Sequence, residues 1–204
     1  MTSPKPSPGE PDVPGAKGLR ADARRNRARI LAAAAAVFAE KGPSASTDEV
    51  AVRAGLAIGT VFKHFPTKQA LLQAIMKDLL ADLTREVEAL AADGDPATST
   101  FGFMTRMVEQ AAEKKTVVGL LAEAGIDLQV ADSLHPLRDG IAELLARSQR
   151  AGAVREDVGV DEVVALLTGV CQGALHAGWD RDLQRRTLAV VFDGLRPPGA
   201  RRPT

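Results

Sequence analysis

Residues 46–68 constrain the fold of this chain more than any other stretch of its 204 residues. They contain two short amphipathic segments, 47–54 and 58–65, separated by the tripeptide Gly-Leu-Ala. Glycine readily takes the left-handed conformation that ends a helix, and the leucine after it is the apolar residue that such a turn buries. Two helices joined by a three-residue turn that contains glycine form the pattern of a helix-turn-helix.

Capping signals define the ends of these segments. Ser46 followed by Glu49 three residues later is a capping box, which gives the first helix a defined start. Pro66 ends the second segment, and Thr67 is suited to cap a third helix. Because the second helix of a helix-turn-helix enters the major groove, the stretch predicts a DNA-binding domain.

Residues in and around this stretch match the pattern of one known family. They are Val50-Ala51, Ala54-Gly55, Gly59-Thr60, His64-Phe65-Pro66, Lys68 and Ala70-Leu71, with Arg29-Ile30-Leu31, Ala34, Val37, Phe38, Ala39 and Gly42 upstream. On these residues the chain resembles the TetR/AcrR family of bacterial regulators over about residues 24–84. Beyond that range only the lengths and the order of the helices are similar.

Apolar residues recur at helical spacing along most of the chain, and no alternating pattern predicts a strand. The predicted helices span residues 21–41, 47–54, 58–65, 67–92, 98–114, 116–124, 137–151, 161–177 and 182–194. The pattern predicts an all-α fold of about nine helices. The resemblance implies an N-terminal three-helix helix-turn-helix domain followed by a larger helical domain that binds a ligand and dimerises.

Composition and the family resemblance together divide the chain into four parts. Residues 1–20, rich in proline and basic at their end, are expected to be a disordered arm, and residues 197–204 a disordered tail. Residues 21–70 form the predicted DNA-binding domain, and residues 71–196 the effector-binding and dimerisation domain. Net charge is zero, yet the first 70 residues hold 11 Lys and Arg against 6 Asp and Glu. A basic front end fits a domain that meets a polyanion.

The predicted recognition helix would present its first turns to base edges. Gly59 would let the backbone approach DNA, Ile58 would contact a thymine methyl group, and Lys63 would reach a guanine or a phosphate. Other polar or charged residues are suited to phosphates, which set the register of binding. The predicted DNA-binding residues are Ser46, Thr47, Ile58, Gly59, Thr60, Lys63, His64 and Lys68.

Two positions depart from the pattern of the resembled family. Ala57 stands where that family commonly has Ser or Thr, which removes a helix cap typically worth about 1 kcal/mol. Phe62 stands where the family commonly has Tyr, which removes a hydroxyl that often contacts phosphate. Either departure would weaken or alter operator contact without disturbing the core.

The last two predicted helices carry more apolar surface than one small domain can cover. The resemblance implies that they pair with those of a second copy, so we expect a homodimer through about residues 161–195. Two recognition helices would then meet half-sites about 34 Å apart on DNA. The alternative is that both helices are buried within one subunit.

The resemblance also implies an effector cavity among the middle helices, at about residues 70–180. The expected effector is a small apolar or amphipathic molecule, because few charged groups fall on the apolar faces. Its binding would release the protein from DNA. The candidates for the cavity lining are Phe101, Phe103, Met104, Met107, Leu120, Leu121 and Trp179. Methionine and phenylalanine at helical spacing also suit an ordinary core.

An enzyme and an architectural DNA-binding protein are the two alternative classes of function. Cys171 and His176 lie five positions apart, about 140° around a helix, so they would not meet as a nucleophile and its base. We expect no catalytic residues, no metal ligands and no cofactor, since phosphate loops and metal-ligand spacings are missing from the sequence. An architectural helix-turn-helix protein without an effector remains the alternative, and it would need no cavity.

Two further features of the sequence predict the cellular compartment. A single cysteine excludes an internal disulfide and suits a reducing cytosol. No apolar run reaches the ~20 residues of a membrane span, and no secretory signal is visible. We therefore expect a cytoplasmic protein that has no membrane partner.

Overall fold

The computed structural model describes residues 14–123 and 131–199. Over these two ranges the regular structure is entirely helical, with nine α-helices and one short 3-10 turn, Gly42–Ser44. The helices are α1 (Pro14–Lys41), α2 (Thr47–Ala54), α3 (Ile58–His64), α4 (Lys68–Asp93), α5 (Ser99–Glu113), α6 (Lys115–Glu123), α7 (Ala131–Arg150), α8 (Val160–His176) and α9 (Arg181–Leu195). The predicted fold class is confirmed.

Two helices begin earlier than the sequence predicts. Helix α1 begins at Pro14, so residues 14–20 are helical although the prediction placed them in the disordered arm. Proline at the first helical position needs no backbone donor, and Ala, Lys, Leu and Arg among these residues favour a helix. Helix α7 begins at Ala131 and continues through Pro136, which removes one backbone hydrogen bond without ending the helix. Residues 1–13 of the predicted arm and 200–204 of the predicted tail lie outside the described residues.

Helices α1 to α4 enclose the core of the first domain. Phe38, Ile30, Val50 and Val61 are completely buried, and Phe65 is 4% exposed. The prediction that Phe65 belongs to the core and does not contact DNA agrees with this burial. The same hydrophobic cluster continues along α4 into the second domain.

Helix α4 is the element common to both halves of the molecule. Its first turn follows the helix-turn-helix, and its last turns pack against α7. Thr67 caps it, because the hydroxyl accepts a hydrogen bond from the amide of Ala70 at 3.0 Å, as the sequence predicts. The predicted boundary between residues 70 and 71 falls inside this helix, and it stays a prediction.

The end of α4 is held by α7. The guanidinium of Arg147 donates hydrogen bonds to the carbonyls of Ala91, Ala92 (2.7 Å) and Gly94 (3.2 Å). These carbonyls belong to the last turn of α4 and its cap, where helical partners are missing. The charge of Arg147 is also favourable at the negative end of the helix dipole.

Arg147→Met should therefore destabilise the protein, because Met keeps an apolar stem and removes every donor to these carbonyls. We expect a loss of about 2 kcal/mol in the free energy of unfolding, measured by urea denaturation. Arg150→Met is the matched control, since Arg150 lies exposed on the same helix and its pair with Glu143 is long, at 3.4 Å. Equal effects of the two substitutions would contradict the capping role of Arg147.

Candidate nucleic-acid interface and effector cavity

Local hydrogen bonds fix both ends of α2. The Ser46 hydroxyl accepts from the amide of Glu49 at 3.2 Å, and the Glu49 carboxylate accepts from the amide of Ser46 at 3.0 Å. At the other end Gly55 has a φ of 62°, a left-handed conformation. The amide of Leu56 donates to the carbonyl of Ala51 at 3.0 Å, which completes a Schellman turn. The capping box and the glycine turn predicted from the sequence are both present.

Helix α1 braces this unit through charged side chains. Arg29 donates to the carbonyl of Ala54 at 2.6 Å, so a cation lies at the negative end of α2. Arg53 makes two hydrogen bonds to Glu40, at 2.9 and 2.6 Å. The bond from Arg53 lowers the pKa of Glu40 and raises that of Arg53 itself. Helix α2 of the motif is thereby held at a fixed angle to α1.

Glu49 also links α2 to α1. Its carboxylate accepts a hydrogen bond from Lys41, and this bond, together with that from the Ser46 amide, lowers the pKa of Glu49. The lowered pKa favours the ionised carboxylate, which accepts both hydrogen bonds more strongly than the neutral acid would. Ser46 and Glu49 thus stabilise the fold of the helix-turn-helix.

Helix α3 presents a mixed face to solvent. Gly59 and Lys63 are exposed, whereas Thr60 and His64 are half-buried. Ile58 is half-buried too and packs against the core, so only part of it is available to a base. Ala57 precedes the helix without a side-chain cap, as its departure from the family pattern implies. Among these residues Lys63 is the exposed basic residue.

Lys68 is held by the fold. Its ammonium group donates to the carbonyls of Pro43 and Ala45, both at 2.8 Å, and lies 5.5 Å from the centre of the Phe38 ring. Two of its three donors are thus used to join the start of α4 to the connection between α1 and α2. Thr47, the first residue of α2, is half-buried. The sequence did not reveal the contacts of Lys68 with these carbonyls.

Two large apolar side chains are exposed on the same domain. Val52 on α2 is 82% exposed, and Phe62 on α3 is 47% exposed. Phe62 directly precedes Lys63 and lies on the recognition helix, so it belongs to the candidate interface although sequence reasoning did not include it there. The sequence signal that could have included Phe62 was its replacement of the tyrosine that the family commonly has at this position.

A cavity of about 480 Å³ lies between α5, α7 and α8. This volume suits a small organic ligand. The cavity is mostly apolar, and Arg138, the charged residue at its wall, forms an ion pair with Asp161 at 2.6 Å that raises the pKa of Arg138. The lining residues are Met107, Leu134, His135, Leu137, Arg138, Ile141, Val164, Leu167, Thr168, Cys171 and Gln172.

Of the predicted ligand-binding residues, Met107 lines this cavity. Phe103 and Met104 are fully buried and Leu120 is buried, all within the hydrophobic core. Phe101 instead packs on Phe192, with ring centroids 4.9 Å apart. The side chain of Leu121 lies outside the described residues. Helical spacing identified buried positions, but burial does not distinguish a closed core from a cavity wall.

Trp179 and Phe101 have structural partners away from the cavity. Trp179 lies against Gly173, where an added methyl group would come within 2.6 Å of the indole. Arg196 lies over the ring of Phe101, 4.7 Å from its centre. Both aromatic residues therefore stabilise the packing of α9 against its neighbours.

Cys171 and His176 do not form a nucleophile and base pair. Burial raises the pKa of the Cys171 thiol to about 11, so it is protonated near neutral pH. The His176 ring is hydrogen-bonded through Nδ1 to the carbonyl of Gln172 at 3.0 Å. The sequence-based expectation that this protein is not an enzyme stays a prediction.

The outer surfaces of α8 and α9 expose apolar side chains. Leu166 on α8 is exposed, as are Leu183 and Val190 on α9, the last to 73%. Gly169 on α8 is also exposed.

None of the helices in the described ranges is both long enough and apolar enough to span a membrane.

A helix-turn-helix that precedes a larger helical domain is an arrangement typical of transcriptional regulators, and comparisons with known proteins give the family of this chain. The model for bacterial regulatory proteins of the tetR family matches residues 30–75. The model for the C-terminal domain of SbtR-like transcriptional regulators matches residues 95–197. The chain belongs to the TetR family of transcriptional regulators.

Individual relatives agree with this assignment. The HTH-type transcriptional regulator UidR of Escherichia coli K12 is 31% identical, and the match covers 87% of this chain and 93% of UidR. A TetR transcription regulatory protein from Mycobacterium vanbaalenii is 40% identical with a TM-score of 0.73, over 88% of this chain and 99% of that one. The regulator SCO0520 from Streptomyces coelicolor is 30% identical with a TM-score of 0.71, over 85% and 99%.

Proposed function

We infer that this regulator is a repressor that binds a palindromic operator as a homodimer and leaves it when a small molecule binds. The exposed face of α3, held on a braced helix-turn-helix, is the observation that carries the DNA-binding part. Repression is supported by a relative, since the protein named HTH-type transcriptional repressor KstR2 of Rhodococcus jostii is 24% identical over 84% of this chain and 92% of its own length.

The proposed DNA contacts divide by chemistry. Lys63 and the polar groups of Thr60 and His64 would contact phosphates or base edges, while Gly59 allows the backbone to come close. Lys68 would offer at most its remaining donor to a phosphate, because two are used within the fold. Phe62 adds an apolar surface suited to a thymine methyl group or a deoxyribose.

The apolar surface of α8 and α9 supports a homodimer. Leu166, Leu183 and Val190 are exposed on two adjacent helices, where a second copy related by twofold symmetry would cover them. Residues 161–195, the predicted interface, include all three. A twofold dimer would present two copies of α3 to the same side of DNA.

The cavity between α5, α7 and α8 supports regulation by an effector. An effector-free architectural protein would need no such space, so the cavity favours the regulated repressor over that alternative. Its walls suit an apolar or amphipathic molecule, because most of the lining residues are apolar, among them Leu137, Ile141 and Leu167. Thr168 and Gln172 supply polar groups beside these residues that could orient the ligand.

Lys63→Ala should weaken DNA binding because it removes a cation from the exposed face of α3. We expect a lower affinity for every duplex tested. The slope of log affinity against log salt concentration should also become shallower, by about one unit for each subunit of the dimer. Fluorescence anisotropy across a salt series measures both. Lys115→Ala, at an exposed lysine that begins α6, is the control and should change neither quantity.

Val190→Glu should dissociate the dimer, because a carboxylate would be buried at an apolar interface without a partner. Light scattering after size-exclusion chromatography should give the mass of one subunit in place of two. Val52→Glu alters an equally exposed valine on α2 and should leave the dimer intact. A dimeric Val190→Glu protein would place the interface elsewhere.

A further inference from the structure

We propose that the cavity between α5, α7 and α8 takes a small amphipathic monocarboxylate, whose anionic end bonds the guanidinium of Arg138 in place of Asp161. The proposal rests on the function inferred above, in which this cavity holds the effector. It adds the charge of the effector, the end of the cavity at which that charge lies and the acidic side chain that the effector displaces.

The charge of the cavity wall favours an anion over a cation. The residues that line the cavity in the described part of the chain include no Asp or Glu, so a cationic ligand would find no ion-pair partner among them. Arg138 and His135 are the basic residues of this wall, and the guanidinium of Arg138 stays charged at any pH at which proteins are folded. Most of the other lining residues are apolar. The wall therefore matches a molecule that is apolar apart from one negative group.

Arg138 can exchange its present partner for a ligand. Its guanidinium bonds the carboxylate of Asp161 at 2.6 Å, and the Asp161 side chain is 79% exposed. An exposed ion pair is weak, because water competes for both groups. Asp161 also lies in the first turn of α8, where the helix dipole favours a negative charge without help from Arg138. A displaced Asp161 would therefore turn to water at little cost.

The position of Arg138 sets the orientation of the ligand. The lining residues on α8 run from Val164 to Gln172, about 12 Å along the axis at 1.5 Å per residue. Asp161 lies about one turn before Val164, so its ion pair with Arg138 marks this end of the cavity. The Arg138 side chain is 41% exposed there, so a bound carboxylate would keep part of its hydration and avoid the full cost of burial. The apolar part of the ligand would extend along α8 toward Cys171.

A single carboxylate suits this end of the cavity better than a phosphate. The guanidinium of Arg138 already holds one carboxylate, and its planar fork binds such groups through two parallel hydrogen bonds. A phosphate monoester carries more than one negative charge at neutral pH, which one guanidinium does not balance. The volume of about 480 Å³ accommodates a short aliphatic chain or an aromatic ring. The expected effectors are therefore monocarboxylates with one apolar chain or ring.

Calorimetric titration of the full-length protein without DNA tests the charge of the ligand. The probes are octanoate, octanol and octylamine, which share a chain length and differ in charge. Octanoate should bind at least about tenfold more tightly than octanol, because the anion gains the charged hydrogen bonds to Arg138, and octylamine should bind most weakly. Hexanoate and decanoate extend the series to shorter and longer chains.

Arg138→Gln removes the charge and keeps a polar side chain. It should reduce the preference for octanoate over octanol to about twofold or less, because both ligands then meet the same neutral wall. Arg150→Gln is the matched control, since Arg150 also lies on α7 and forms an exposed ion pair, with Glu143. This control should leave the affinity for every probe unchanged.

The displacement of Asp161 predicts an effect of opposite sign. Asp161→Asn removes the competing carboxylate and should raise the affinity for octanoate about twofold to fivefold, the range that a weak exposed ion pair allows. Glu162→Gln is the matched control on the same turn and should give no comparable rise, because Glu162 accepts a hydrogen bond from the amide of Gly159 at 2.9 Å. In an Arg138→Gln background, Asp161→Asn should give no gain.

Circular dichroism melts follow the folding of each variant. The proposal is overturned if none of the three carboxylates binds more tightly than octanol, or if a folded Arg138→Gln protein keeps the preference for octanoate. An unchanged affinity for octanoate in Asp161→Asn would contradict the displacement, and this exposed position carries the test alone if Arg138→Gln does not fold. Octanoate that binds through Arg138 but leaves the affinity for a selected operator duplex unchanged would instead contradict the proposed release from DNA.

Discussion

Two cations hold the ends of α4, and the arrangement of the rest of the molecule depends on them. Lys68 binds the carbonyls of Pro43 and Ala45 at the first end, and Arg147 binds those of Ala92 and Gly94 at the last. Carbonyls at a helix end or in a turn have no helical partner, so each cation supplies the missing donors and fixes the position of that end of α4. The helix-turn-helix is thereby attached to one end of a rod, and the cavity-bearing helices to the other.

The same chemistry recurs at α2, where Arg29 binds the carbonyl of Ala54. The basic character of the first 70 residues therefore has two sources. Part of it faces solvent, as Lys63 does, and is available to DNA. Another part, which includes Arg29 and Lys68, is used to assemble the domain, so net charge alone overstates the cationic surface offered to a polyanion.

Local chemistry explains how much of the structure the sequence could predict. Ser46 with Glu49, Gly55 and Thr67 act within a few residues of their partners, so the motif and its helix caps could be predicted. The cavity depends on how α5, α7 and α8 pack, and periodicity shows only that Phe103 and Met107 face inward on α5. Likewise the partners of Lys68 lie 23 and 25 residues away, beyond the reach of a sequence pattern.

In the proposed function a twofold dimer presents two α3 helices to one duplex. Selection of bound duplexes from a random pool, followed by sequencing, tests it most directly. A twofold dimer should enrich duplexes that contain an inverted repeat, with half-site centres about one helical turn, or a multiple of it, apart. Enrichment of a single unrepeated site, or of no sequence at all, would contradict it.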